Sequence, residues 1–191
     1  GEMEDSEEAA IKDGQIIEAG DCVICLAASG NTNYPLTIME ICKKLGATTI
    51  GIANNPDTKL LENSDIPILL PTPPEVIAGS TRLGAGTAQK IALNMMSSCM
   101  GVYLGNVMDG MMVNLIANNT KLFKRSEEIV MNITGCNRHQ AARRLKKSKG
   151  SVKLAILLIE GAKTLNEAKH FLDQEMQNLR RAISALRAEK I

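Results

Sequence analysis

The sequence predicts an α/β fold in which a parallel sheet interleaved with helices is followed by a small helical bundle. Three observations predict it. Short apolar runs at residues 22–28, 48–53 and 66–70 have the composition of strands buried on both faces. A helix-like stretch over 35–45, closed by Gly46, separates the first two and completes a βαβ unit, which implies parallel strands and right-handed crossovers. From about Phe123 onward the strand pattern ends and charged amphipathic stretches follow one another.

Taken in order, residues 6–13 are expected to form a short helix ahead of the first strand. After the proline-rich turn at 71–74, Ala, Leu, Met and Ile recur at helical spacing over 81–103, as expected of a long, mostly buried helix. The helices expected beyond it cover 124–133, 138–146, 152–160, 165–172 and 174–188. Gly135, Gly150 and Gly161 punctuate them in the manner of a compact bundle. A basic last helix docking on a partner is the weaker reading.

Composition excludes several function classes. With 22 basic and 21 acidic residues, two Phe, two Tyr and no Trp, the chain offers neither a basic surface nor stacking platforms for nucleic acid. No apolar run approaches the about 18 residues of a membrane span, and no signal peptide is evident. Five cysteines, an odd number, fit a reducing, cytoplasmic setting. Cys22 and Cys25 form a CxxC, but a second pair is missing, and residues three apart on a strand point to opposite faces. Both are read as core thiols, and His139 and His170 as surface residues. No metal site is expected.

The chemistry is expected at the end of the first strand. In an open parallel sheet, ligands bind beyond the carboxyl ends of the strands, where helix starts present free N–H groups. Ser29, Gly30, Asn31 and Thr32 occupy that place. The hydroxyls of Ser29 and Thr32 can donate to an anion, Gly30 permits close backbone approach, and the following helix supplies a positive dipole end. Ser and Thr at a helix start are also ordinary N-caps, so the turn alone is weakly specific. A second polar cluster, PEVIAGSTRLGAGTAQK at 74–90, places Glu75, Ser80, Thr81 and Arg82 before the long helix. Its glycines match neither GxxxxGK[ST] nor GxGxxG, which excludes a nucleotide loop of either kind.

These segments carry a resemblance. EVIAGSTRLGAGTAQKIALNMMSS, the AASGNTNYP turn, NLIANNTKLFKRSEEIV and TGCNRHQAARRL together resemble the N-acetylmuramic acid 6-phosphate etherase family of SIS-fold (sugar isomerase) proteins, over nearly the whole chain. The resemblance implies a three-layer SIS-type parallel sheet lacking its first strands. It also implies a sugar-phosphate-binding portion over 1–122 and a small helical, UBA-like domain over 123–191. Ser29 and Thr32 match the family's phosphate-holding hydroxyls. Asn31 stands where a basic residue is usual, and Gly84 where Lys is often found.

The family's reaction cleaves the ether joining D-lactate to C3 of the sugar, leaving N-acetylglucosamine 6-phosphate. The open-chain aldehyde acidifies the C2 proton, a base removes it, an acid helps lactate leave, and water adds to the unsaturated aldehyde. Two carboxylates suffice, with neither metal nor cofactor. EMEDSEE at 2–8 resembles a family EGAEDS-like motif, with Glu4 in the catalytic place and Asp5 or Ser6 capping the helix at 6–13. By composition alone Glu4 would be one solvated acid among several.

Family members are longer, and carry upstream strands, a GTSGR-like first phosphate loop and a second carboxylate in an ASE-like motif. This chain is therefore expected to be the carboxyl-side portion of a longer protein, or a natural remnant. Two functions are expected from it: the etherase, acting as a cytoplasmic homodimer on a phosphorylated amino sugar, or a non-catalytic phosphosugar-binding regulator like glucokinase regulatory protein.

Overall fold

The computed structural model describes residues 4–189. Backbone contacts divide the chain into two compact units, Gly1–Met95 and Met96–Ile191. That division falls inside the long helix, ahead of the 122/123 division read from the sequence. No helix among the described residues is long and apolar enough to cross a membrane.

The first unit opens with α1 (Glu7–Asp13), whose N-cap is Ser6; its Oγ accepts from the Ala9 amide at 3.1 Å. A turn of 3₁₀ helix, Gly14–Ile16, leads to β1 (Cys22–Ala27), α2 (Asn33–Leu45), β2 (Thr48–Ala53), α3 (Lys59–Asn63) and β3 (Ile66–Leu69). The strands form one parallel sheet in the order β1-β2-β3, with Ile24 opposite Ile50 and Ile50 opposite Ile66. The expected βαβ unit is present, and α2 begins two residues early because Thr32 takes the N-cap position. Gly46 closes α2 in the left-handed conformation (φ +78°).

Alternation along the strands sends Cys25 and Ala27 to one face, where they pack with Ile38, Met39 and Cys42 of α2. On β2 this face carries Gly51. A Cβ there would lie 2.6 Å from the Leu60 carbonyl, so α3 rests directly on the strand backbone. The opposite face carries Ile24, Leu26 and Ile66, which are 40%, 37% and 47% exposed. Strands buried on both faces were expected, and this is corrected for β1 and β3. Their composition records apolarity on both faces, but among the described residues helices α2 and α3 cover one of them. The CxxC divides in the same way, leaving Cys25 buried and Cys22 exposed rather than both in the core.

α4 (Gly84–Tyr103) starts three residues later than expected. Its expected burial is also corrected: Ala85 is its one buried residue, and Ile91, Met95, Met100, Val102 and Tyr103 are exposed. Its apolar residues lie on one broad side, opposite Thr87, Lys90, Asn94 and Ser98, but among the described residues no strand or helix packs extensively along it.

Beyond α4, the described residues of the second unit form a short hairpin and five helices. β4 (Val107–Met108) and β5 (Met111–Met112) pair antiparallel through Asp109 and Gly110, both at positive φ, the turn that an Asp-Gly pair favours. α5 (Thr120–Thr134), α6 (Arg138–Lys147), α7 (Val152–Glu160), α8 (Leu165–Gln174) and α9 (Leu179–Ala188) follow. Asn119, Asn137, Ser151, Thr164 and Asn178 cap them through side-chain oxygens, with capping boxes at Gln140 and Glu167. The helix expected over 174–188 is corrected: residue 174 ends α8, Met176 and Gln177 adopt positive φ, and Asn178 caps a new helix. α7 is apolar on nearly every side and lies in the middle of the core with Leu145, Phe171, Leu179 and Leu186. Its Lys153 is buried, donates to the Gln177 carbonyl at 2.7 Å, and has its pKa lowered by desolvation. His139 and His170 are exposed, as expected.

Candidate functional site

A cavity of about 750 Å³ opens at the carboxyl end of β1. Ile24, Cys25, Leu26 and Ala27 line it in succession, which places it along the strand edge that does not pair with β2. Ser29, Thr32, Glu4, Asp13, Tyr34, Thr81 and Gln89 supply its polar groups.

The turn at 29–32 decides between a plain helix cap and a ligand cradle. Thr32 occupies the N-cap position of α2, yet its hydroxyl makes no capping bond. It lies 3.2 Å from the Ser29 hydroxyl instead. Gly30 has φ +69°, and a Cβ there would collide with Thr58, so the turn passes where only glycine fits. The Asn31 side chain is spent internally: Nδ2 donates to the Ser29 carbonyl at 3.3 Å, and Oδ1 accepts from the Lys59 amide at 3.3 Å. Asn31 therefore shapes the turn and ties it to α3, while the two hydroxyls remain at the cavity wall.

Glu4 precedes α1, and its backbone carbonyl accepts from the Tyr34 amide at 3.1 Å, which brings it to the cavity beside the start of α2. Cys25 also lines the cavity, but burial, and secondarily Cys42, push its thiol up to about 11, so it is no nucleophile at neutral pH.

The second cluster divides. Thr81 reaches the cavity, and Gln89 beside it donates to Asn54 Oδ1 at 2.9 Å. Ser80 and Arg82 do not line it. Glu75 faces a smaller cavity of about 320 Å³, which Thr81 also lines. Its carboxylate accepts from the amides of Ala85 (3.0 Å) and Gly84 (2.9 Å), and these bonds hold its pKa below the usual carboxylate range. Glu75 thus caps α4 from nine residues upstream.

Residues 2–98 match the SIS domain family model. The chain belongs to the SIS-domain family. It is 43% identical over 172 residues to the N-acetylmuramic acid 6-phosphate etherase of Deinococcus radiodurans, covering 89% of this chain and 56% of that protein. It is 41% identical to the etherase of Geobacillus thermodenitrificans (94% of this chain, 62% of that one) and 40% identical to one from Clostridium botulinum (96% and 61%). The chain thus spans less than two thirds of the length of these relatives.

In this SIS domain the sequence reading reached Glu4, Ser29, Thr32 and Thr81, all of which share the cavity. It missed Asp13, Tyr34 and Gln89. Tyr34 and Gln89 lie inside the AASGNTNYP and AGTAQK segments, where the local pattern gives neither a chemical role, and Asp13, the last residue of α1, has only its place at a helix end to mark it.

Proposed function

We propose that this SIS domain belongs to an enzyme that cleaves the D-lactyl ether of N-acetylmuramic acid 6-phosphate, a lyase of cell-wall sugar recycling. The observation that carries the proposal is the placement of Glu4 and the uncapped Ser29–Thr32 hydroxyl pair on one cavity. Relatives named as that etherase, at 40–43% identity, support it. No observation favours the binding-only regulator.

In this reading, Ser29 and Thr32 donate to the sugar's phosphate, the Gly30 backbone lets it approach, and Asn31 holds the turn in shape. Thr81 reaches the same ligand, with Ser80 and Arg82 beside it. Glu75 serves the site indirectly, by fixing the start of α4. Glu4 exchanges a proton with the substrate at C2 or at the departing lactate oxygen. Elimination breaks the C2–H and C3–O bonds and forms a C2–C3 double bond, and water then adds its hydroxyl at C3 and a proton at C2.

The functional domains in this reading are the sugar-phosphate-binding portion at 1–122 and the helical portion at 123–191. The working form is a cytoplasmic homodimer, for which the exposed Ile91, Met95, Met100 and Tyr103 of α4 supply an apolar contact surface. Incubating the protein, as its own cell makes it, with N-acetylmuramic acid 6-phosphate tests the proposal. D-lactate and N-acetylglucosamine 6-phosphate in equal amounts are expected, and intact substrate after prolonged incubation would refute it.

A further inference from the structure

Both ends of α1 are tied to one residue of α2. The Tyr34 amide donates to the Glu4 carbonyl at 3.1 Å, just ahead of α1, and the Tyr34 hydroxyl donates to Asp13 Oδ2 at 2.8 Å, at its last residue. Tyr34 is the second residue of α2, immediately after the Ser29–Thr32 turn. Glu4, Asp13, Tyr34, Ser29 and Thr32 all line the one cavity. Between the two ties Ala10 is fully buried, and just beyond the second Gly14 lies so close to α2 that a Cβ would come within 2.7 Å of Ile41. The segment is therefore held along its length by packing and at both ends by Tyr34.

We propose that Tyr34 is the positioning residue of the site, a two-point latch that sets Glu4 against the Ser29–Thr32 turn. This rests on Glu4 being the proton-exchanging group proposed above. Glu4 precedes α1, and the bond from the Tyr34 amide to its carbonyl ties it to the start of α2. The hydroxyl bond to Asp13 adds a second tie that prevents α1 from sliding along α2. A general acid or base must stay within hydrogen-bond reach of its proton, and a misplacement of about 1 Å can cost about 10²-fold in rate. The Tyr34 ring also packs against the buried cluster under α2, so replacement by Phe keeps that packing and removes only the hydroxyl.

The test uses the protein as its cell makes it, with Tyr34→Phe, Asp13→Ala and the double variant. Each single variant is expected to lower kcat for lactate release by about 10- to 100-fold while the affinity for N-acetylglucosamine 6-phosphate stays within about threefold. The double variant is expected to be no slower than the worse single one, because both remove the same bond. Hydrogen exchange, read in parallel, is expected to quicken at the amides of position 34, Ala9 and Ala10 in Tyr34→Phe. Unchanged kcat, additive losses, or a lower kcat with unchanged exchange would each overturn the latch. If the unaltered protein releases no lactate, the etherase reading fails by itself, and the exchange measurement still decides whether Tyr34 holds the Glu4 segment.

Discussion

The hydroxyl oxygens of Ser29 and Thr32 lie 3.2 Å apart across a turn whose glycine has no room for a side chain. A threonine at a helix start ordinarily caps it. Here the cap bond is not made, and the two hydroxyls converge at the cavity instead.

Replacing both Ser29 and Thr32 with Ala is therefore expected to weaken phosphosugar binding while leaving α2 formed. Hydrogen bonds to charged groups contribute about 1.5–3 kcal/mol each, which is about tenfold or more in Kd per hydroxyl. Calorimetric titration with N-acetylglucosamine 6-phosphate checks it. Equal affinity for the phosphorylated and unphosphorylated sugar in the unaltered protein would remove the phosphate role.

Gly30→Ala is expected to destabilise the first unit by more than the about 1–3 kcal/mol of a strained backbone conformation, because the new methyl would also displace Thr58. Gly20→Ala is the control. Gly20 has φ +90° and open space where a Cβ would go, so it carries the strain without the collision. Denaturant melts of the two variants should rank Gly30→Ala as the less stable, and the reverse order would show that the turn is not tightly packed.

Glu75→Gln is expected to loosen the first turn of α4, seen as faster hydrogen exchange at Gly84 and Ala85. The carboxylate's folded pKa is depressed by those two amides, so its stabilising contribution is present above the ordinary carboxylate pKa and is lost as pH falls through the lowered folded value. Acid titration followed by exchange at the same amides should show protection fading in that window. Fading at neutral pH would mean that another group titrates.

The framework of the fold was legible in the sequence, because βαβ periodicity and glycine punctuation are local signals. β2 matched over 48–53, and Gly46, Gly135 and Gly161 each close a helix in the left-handed conformation. The errors have physical causes. Strand composition reports which residues are apolar but not how many faces a neighbour covers, which is why Ile24 and Leu26 were misjudged. The Asp109–Gly110 turn and the Asn119 and Asn178 caps are short signals, and the apolar and charged periodicity around them obscured them. The candidate site was half legible: hydroxyls after a strand can be read, but the bond from Tyr34 to Asp13 spans 21 residues and leaves no mark in either segment.

Native alkylation at pH 8 is expected to modify exposed Cys22 and spare Cys25, whose buried thiol, with a pKa of about 11, holds almost no thiolate there. Peptide mass mapping reads the result. Modification of Cys25 at the rate of Cys22 would mean that the face of β1 packed against α2 opens readily.

The role of Glu4 is tested most directly by lactate release and C2 proton exchange in deuterated solvent, measured for the unaltered protein and for Glu4→Gln. The variant keeps the shape and removes the carboxylate. Turnover is expected to fall by about 10²–10⁴-fold while the affinity for N-acetylglucosamine 6-phosphate is retained. Lactate release by Glu4→Gln at the unaltered rate would contradict the account and return Glu4 to the status of an exposed surface acid.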